Sequence, residues 1–127
     1  RNKNFKLNQE FFKSNYKYFI TPKILKNIKT NFLAYPIIIK KNPYFSRKQL
    51  QIFLEKNAIQ TRPIFTGNIL RHPAFKVLKS KRNKVNDFKN SDYIMKHGLL
   101  IGCHQGLNIN QIKYIHTKII KFIKNNT

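Results

Sequence analysis

The stretch "NINQIKYIHTKIIKFIK", residues 108–124, sets the strongest limit on what this chain can fold into. Ile112, Ile115, Ile119 and Ile123 recur at helical spacing with lysines between them. A helix with that stripe buries one face and wets the other. Asn108 is placed to cap it. A second stripe, Leu50, Phe53 and Leu54 in "SRKQLQIFLEKN", predicts another amphipathic helix, and Ser46 with Gln49 forms a capping box at its start. Two such helices need a sheet face or a neighbouring domain to bury against.

Candidate strands supply the sheet. "NFLAYPIIIK" alternates Leu33, Tyr35, Ile37 and Ile39. Pro36 lacks an N–H, which places it on an edge or where pairing ends. "AIQTRPI" reads as a short strand and "LLIGC" as a buried one. "NFKLNQEFFKSNYKYF" predicts an opening helix with Leu7, Phe11 and Phe12 on one face, followed by a basic connector. "SDYIMKHG" predicts a short helix capped by Ser91, with Asp92 in its first turn, His97 in its last and a left-handed stop at Gly98. "KSKRNKVNDFKN" reads as a mobile, low-complexity basic segment. The order implies an α+β fold in which a small three-stranded sheet is backed by helices.

The charge is extreme: 26 Lys and Arg against 4 Asp and Glu, formally +22. Such a balance suggests nucleic acid. Two features weigh against it. Only 5 of the basic residues are Arg, the residue suited to bidentate phosphate contacts. Lys, Asn, Ile and Phe, all encoded by A/T-rich codons, make up over half the chain, so genome bias accounts for much of the charge. The single cysteine, Cys103, excludes an internal disulfide and fits a reducing compartment. No apolar run approaches a membrane span, and "RNKNFKLN" has no apolar core of a signal peptide. Arg1 in place of Met reads as the interior of a longer open reading frame, making this a C-terminal piece.

The residues do not spell out a complete active site. Glu10, Glu55, Asp87 and Asp92 are scattered, and the four histidines lack metal-ligand spacing. Cys103 and His104 are strand neighbours that point to opposite faces, so Cys103 reads as a core thiol and His104 as a strand-end residue or a ligand-facing donor. The least ordinary stretch is "IQTRPIFTGNILRHPAF", residues 59–75. Arg62 precedes Pro63 and is held extended. Gly67 permits a tight turn, and Asn68 and Arg71 follow it. This is either an ordinary solvated loop or one that faces a ligand, since Arg suits phosphate and Asn suits sugar hydroxyls.

At these residues the chain resembles a family. "TRPIFTGNILRHPAF" is similar to the loop "TR-x-x-F-x-G-N-x-x-R-x-P-A/Y-F" of DegT/StrS-type sugar aminotransferase homologues, closest to their RfbH-like NDP-4-keto-6-deoxyhexose 3-dehydratase branch. "FSRKQLQIFLEKNAIQTR" resembles the family's helix and strand before that loop, "NSDYIMKHGLLIGCHQGLN" the stretch before its last helix, and "YFITP" with "YPIII" its entry into the small domain. His72 departs from a frequent Gln, and the Lys/Asn-rich stretch between Phe75 and Ser91 has no counterpart motif.

The resemblance implies the C-terminal small domain of a fold-type-I enzyme dependent on pyridoxal or pyridoxamine phosphate (PLP/PMP). Residues 1–31 would be a helix and connector from a large domain that is missing here, and 32–127 the small domain. The cofactor, held upstream, would act as electron sink while the 3-hydroxyl of a nucleotide-sugar leaves. Arg62, Asn68, Arg71 and, less centrally, His104 are the implied substrate-side residues. The chain would be inactive alone, belong to a cytoplasmic homodimer, and serve nucleotide-sugar and lipopolysaccharide biosynthesis. An iron–sulfur reductase is a partner the resemblance leaves open. The rival readings are an aminotransferase of the same family, a stand-alone basic RNA-binding protein, and a non-catalytic remnant.

Overall fold

A computed structural model describes residues 1–65, 67–78 and 84–127. Four α-helices are present among them: α1 (Asn2–Ser14), α2 (Arg47–Lys56), α3 (Lys89–His97) and α4 (Ile109–Asn126). The strands are β1 (Phe19–Ile20), β2 (Ala34–Ile39), β3 (Thr61–Pro63) and β4 (Gly98–Gly102). They form one antiparallel sheet in the order β1-β2-β4-β3. The class is α+β as expected, but the sheet has four strands where the pattern predicted three. The extra strand, β1, is two residues long, too short to carry an alternation.

The two long helices start as predicted. Ser46 accepts from the Gln49 amide and the Gln49 side chain returns to the Ser46 amide. Asn108 and Gln111 make the same reciprocal pair on α4. Each box satisfies otherwise orphaned N–H groups, and a cap of this kind is worth about 1 kcal/mol. Burying a single Ile or Leu side chain is worth roughly 1.5–3 kcal/mol, so the stripes outweigh the caps. Leu50 and Leu54 of α2 and Ile112, Ile115, Ile119 and Ile123 of α4 are buried. Phe53 is partly buried against them.

β2 buries Tyr35, Ile37 and Ile39 on one face, while Leu33, just before it, is exposed. Leu99 and Ile101 of β4 join that face. α1 and α2 lie against the sheet and α4 packs on both helices. Pairing of β1 with β2 stops at Ile20 and Ile38. Continuing that register would bring Pro22 opposite Pro36, two residues with no N–H to offer, so the ladder ends there as Pro36 predicts. On the other side β2 pairs with β4 from Ala34 to Ile38.

α1 and α3 differ from expectation. α1 buries Asn4, Phe5, Asn8 and Phe12, while Leu7 and Phe11 are only partly buried. The polar Asn8 in the middle of the buried face hid its period. α3 begins at Lys89 with no side-chain cap, so Ser91 lies inside it. Gly98 is extended rather than left-handed and leads straight into β4. A Cβ there would lie 2.6 Å from the Ile94 carbonyl oxygen, so the close helix-to-strand passage needs glycine. Residues 79–83 of the basic segment read as mobile fall outside the described residues.

Asn8 is fully buried and its Oδ1 lies 2.8 Å from His116 Nε2. His116 also stacks on Phe11, with ring centroids 4.0 Å apart. Burial pulls the His116 pKa down to about 4. The unfolded chain takes up the proton near pH 6.5. Stability contributed by the neutral ring is therefore full above about pH 6.5 and is lost as pH falls toward 4. His97, lowered by burial and by nearby cations, adds slope of the same sign. We expect urea midpoints to fall between pH 7 and pH 4.5, and His116→Gln to remove a substantial part of that fall. An unchanged slope in the variant would refute the assignment.

Candidate functional site

The loop that follows β3 is built by its own side chains and by α3. Gly67 has φ +55°. A Cβ at Gly67 would sit 2.3 Å from Met95 Cβ and 2.9 Å from Met95 Cα on α3. Only glycine allows both that turn and that approach. Asn68 then caps a 3₁₀ turn, Ile69–Arg71, with its Oδ1 accepting from the Leu70 amide at 3.1 Å. Thr66 of the motif lies outside the described residues.

Asn68 is 2% exposed. Its Nδ2 donates to the Val85 carbonyl and to Asp92 Oδ1, both at 2.9 Å. Arg71 donates from Nε to Asp92 Oδ1 at 2.5 Å and from Nη2 to Oδ2 at 2.6 Å. This two-pronged fork is the strong form of an arginine–carboxylate pair. Arg71, with help from Asn68, holds the Asp92 carboxyl down at about 2, below the usual carboxylate range. The carboxylate is thus charged at any ordinary pH, and the loop is tied to the first turn of α3 throughout.

Arg62 is differently placed. It is exposed, and its Nη1 donates only weakly, at 3.4 Å, to the Thr61 carbonyl. Its backbone is firmly set. Thr61 is buried, and its N–H and Oγ1 both donate to Glu55 Oε1 at 2.7 Å. Those two bonds lower the Glu55 pKa, as does the nearby Arg62 charge. Arg62 pairs with Leu100, and Leu100 with Pro36, so the three form a row on the sheet face away from the buried core. Beside that row lies a cleft of about 440 Å³ lined by Pro36, Leu100, Phe65, Ile24 and Leu33, among others.

The structure brings Asn68 and Arg71 together and sets Arg62 at the start of the same loop. It does not bring His104 to them. His104 follows the far end of β4, roughly 13 Å along the chain from Leu100, the partner of Arg62, and farther from the end of β4 next to α3. It is exposed, and its Nδ1 accepts from the Gly106 amide at 3.2 Å. Its carbonyl accepts from Asn4 Nδ2 at 2.9 Å. It lines a separate cleft of about 370 Å³ with Gln60 and Tyr114. Cys103 beside it is buried, with Sγ directed at the Phe32 carbonyl. Among the described residues no three His, Cys, Asp or Glu side chains come together, and no helix is long and apolar enough to cross a membrane.

Two residues of this site were missed in the sequence. Asp92 read as a first-turn charge, and Glu55 as one of four scattered acids. The available signal was scarcity: of the 4 acids in the chain, only Glu55 and the pair Asp87 and Asp92 lie near its most unusual loop. Gly67→Ala is expected to cost about 1–3 kcal/mol, from the left-handed backbone and the Met95 contact. Urea unfolding measures it, and a loss within error of zero would mean the loop is not tied to α3.

Residues 1–120 match the DegT/DnrJ/EryC1/StrS aminotransferase family. The chain is 30% identical over 101 residues to the lipopolysaccharide biosynthesis protein RfbH of Salmonella typhimurium, covering 80% of this chain and 23% of that protein. It thus spans about a quarter of that relative's length. Among solved structures, an Escherichia coli GDP-4-keto-6-deoxy-D-mannose-3-dehydratase with bound hydrated PLP superposes with a TM-score of 0.66 at 30% identity, over 91% of this chain and 30% of that one. The Helicobacter pylori aminotransferase PseC, involved in pseudoaminic acid biosynthesis, shares the fold with a TM-score of 0.78 at 18% identity, over 98% of this chain and 32% of that one. A match that runs from residue 1 to residue 120 leaves only the last seven positions outside it, and the chain belongs to the DegT/DnrJ/EryC1/StrS aminotransferase family.

Proposed function

We propose that this chain is the C-terminal part of a PLP/PMP-dependent 3-dehydratase acting on a nucleotide-linked 4-keto-6-deoxyhexose, in nucleotide-sugar and lipopolysaccharide biosynthesis. One observation carries the reading: the 30% identity to the E. coli dehydratase extends over 91% of this chain. The proposal assigns residues 1–31 to a helix and connector leading from a large domain and 32–127 to the small domain. α1 supports a close junction, since its Phe5 and Phe12 sit in the core with Tyr35. The whole enzyme would work as a cytoplasmic homodimer.

PLP needs a phosphate cradle, a carboxylate for its ring nitrogen and a Lys or His at its reactive carbon. The residues here do not fit it. The clefts described on this surface carry no Asp or Glu in their lining. Glu55 is bound to Thr61 and Asp92 to Arg71 and Asn68. What the chain supplies is therefore the substrate side, at the loop that carries Arg62, Asn68 and Arg71. His104, at the other end of β4, would reach the same ligand only through a different group.

The RNA-binding alternative has less support. Its stacking platforms need exposed aromatics. Rings such as Tyr16, Phe65 and Tyr114 are exposed, so what weighs against RNA is the family match over residues 1–120. The deciding assay uses the native polypeptide that carries this sequence, with PLP, glutamate and a GDP-linked 4-keto-6-deoxyhexose. We expect a product that has lost its 3-hydroxyl. A 4-amino product would make the protein an aminotransferase. No conversion together with salt-sensitive RNA binding would overturn the enzyme reading.

A further inference from the structure

We propose that the two arginines of the loop have separate jobs: Arg71, locked by Asp92, is a positioning residue that holds the loop against α3, and Arg62 is the guanidinium that meets the anionic part of the ligand. The inference rests on the reading above that this loop faces a nucleotide-sugar.

Arg71 is a poor anion receptor as it stands. Two of its donors are committed to Asp92. The pair carries no net charge, and a phosphate that approached Arg71 would also meet the Asp92 carboxylate within a few ångströms. Removing Arg71 from Asp92 would leave that carboxylate with Asn68 as its remaining described partner. Since Asn68 is nearly fully buried and also ties the loop to Val85, Asp92 holds the loop at two points. That is the geometry of a fastener.

Arg62 has the opposite character. Its one described hydrogen bond is long, and Glu55, the carboxylate whose charge it influences, already accepts both bonds from Thr61. Its planar fork is therefore available for a bidentate phosphate contact. Its backbone is held by β3 on one side and by Pro63 on the other, so little order has to be created when it binds. It also stands beside the open-face cleft of about 440 Å³, to which Phe65, 71% exposed, contributes a ring. A cation one strand over from Leu100 in the wall of an apolar, ring-bearing cleft suits a nucleoside diphosphate, with phosphates at Arg62 and a planar or sugar group in the cleft.

The test measures GDP and inorganic pyrophosphate binding by the native polypeptide and its variants, with the melting temperature recorded for each. Arg62→Gln is expected to weaken GDP binding roughly tenfold or more, the scale of a lost charge-assisted contact, at an unchanged melting temperature. Arg71→Asp and Asp92→Arg alone should each lower the melting temperature and weaken binding. The double charge swap, R71D with D92R, should recover both in part, because the pair is restored with no cation at position 71. A swap that recovers stability but not GDP binding would show that Arg71 itself contacts the anion and would overturn the division. Should the swap fail to fold, Arg62→Gln still decides, since unchanged GDP affinity in that variant overturns the proposal. If the wild-type protein binds neither GDP nor pyrophosphate, the nucleotide-sugar reading falls, and this inference with it.

Discussion

The pairing of Ala34–Ile38 with Gly98–Gly102 is the constraint from which the rest of the fold follows. It joins two segments far apart in the chain and gives the sheet its two unlike faces. One face carries Tyr35, Ile37, Leu99 and Ile101 and is closed by helices. The other carries Pro36, Leu100 and, through β3, Arg62. Because side chains alternate strictly along a strand, a one-residue slip of this ladder would exchange the two faces. The buried face resists such a slip, since it would turn Tyr35 and Ile37 toward water. The position of Arg62 on the open face is thus secured by the core on the other one.

Acids are few in this chain, and two of them bracket the loop that carries the family resemblance. Glu55 holds Thr61 immediately before Arg62, and Asp92 holds Asn68 and Arg71 after it. With a formal charge of +22, a lysine-rich surface repels itself, and each carboxylate is surrounded by competing cations. Geometry decides which of them it keeps. Arg71 wins Asp92 because its fork matches a carboxylate with two parallel bonds, which a lysine cannot supply. Lysine charge is spread along the chain, whereas among the described residues the arginine–carboxylate pair ties the loop to α3. This is why the loop, and not the charge, carries the functional argument.

Much of the architecture was readable in the sequence. The stripes on α2 and α4, the capping box of α2, the Asn108 cap of α4 and the end of pairing near Pro36 followed from local rules. The failures have a common cause. The buried face of α1 was read only in part, at Phe12, because Asn8, a polar residue, occupies a core position where its partner His116 lies 108 residues away. β1 escaped notice because two residues show no period. α3 began early and its glycine stayed extended because contacts with the loop and with β4, and not a cap, set its ends. The site was half readable: "TRPIFTGNILR" marked the residues, but nothing local showed that Asp92 holds two of them or that His104 stands apart.

Local pattern alone was enough to place α2 and α4, to tell which of their sides are apolar, and to mark the family to which the loop belongs. These depend on spacings of three or four residues and on backbone limits at Gly and Pro, which neighbouring residues are enough to impose. Only the tertiary structure decided which arginine is committed. Arg71 and Asp92 are 21 residues apart, and Asn68 and Asp92 are 24. Partners at such distances in the chain meet only when strand register and helix packing carry them together. Two arginines of equal charge on one loop thereby come to differ, one bound into the protein and the other left facing outward beside an open cleft.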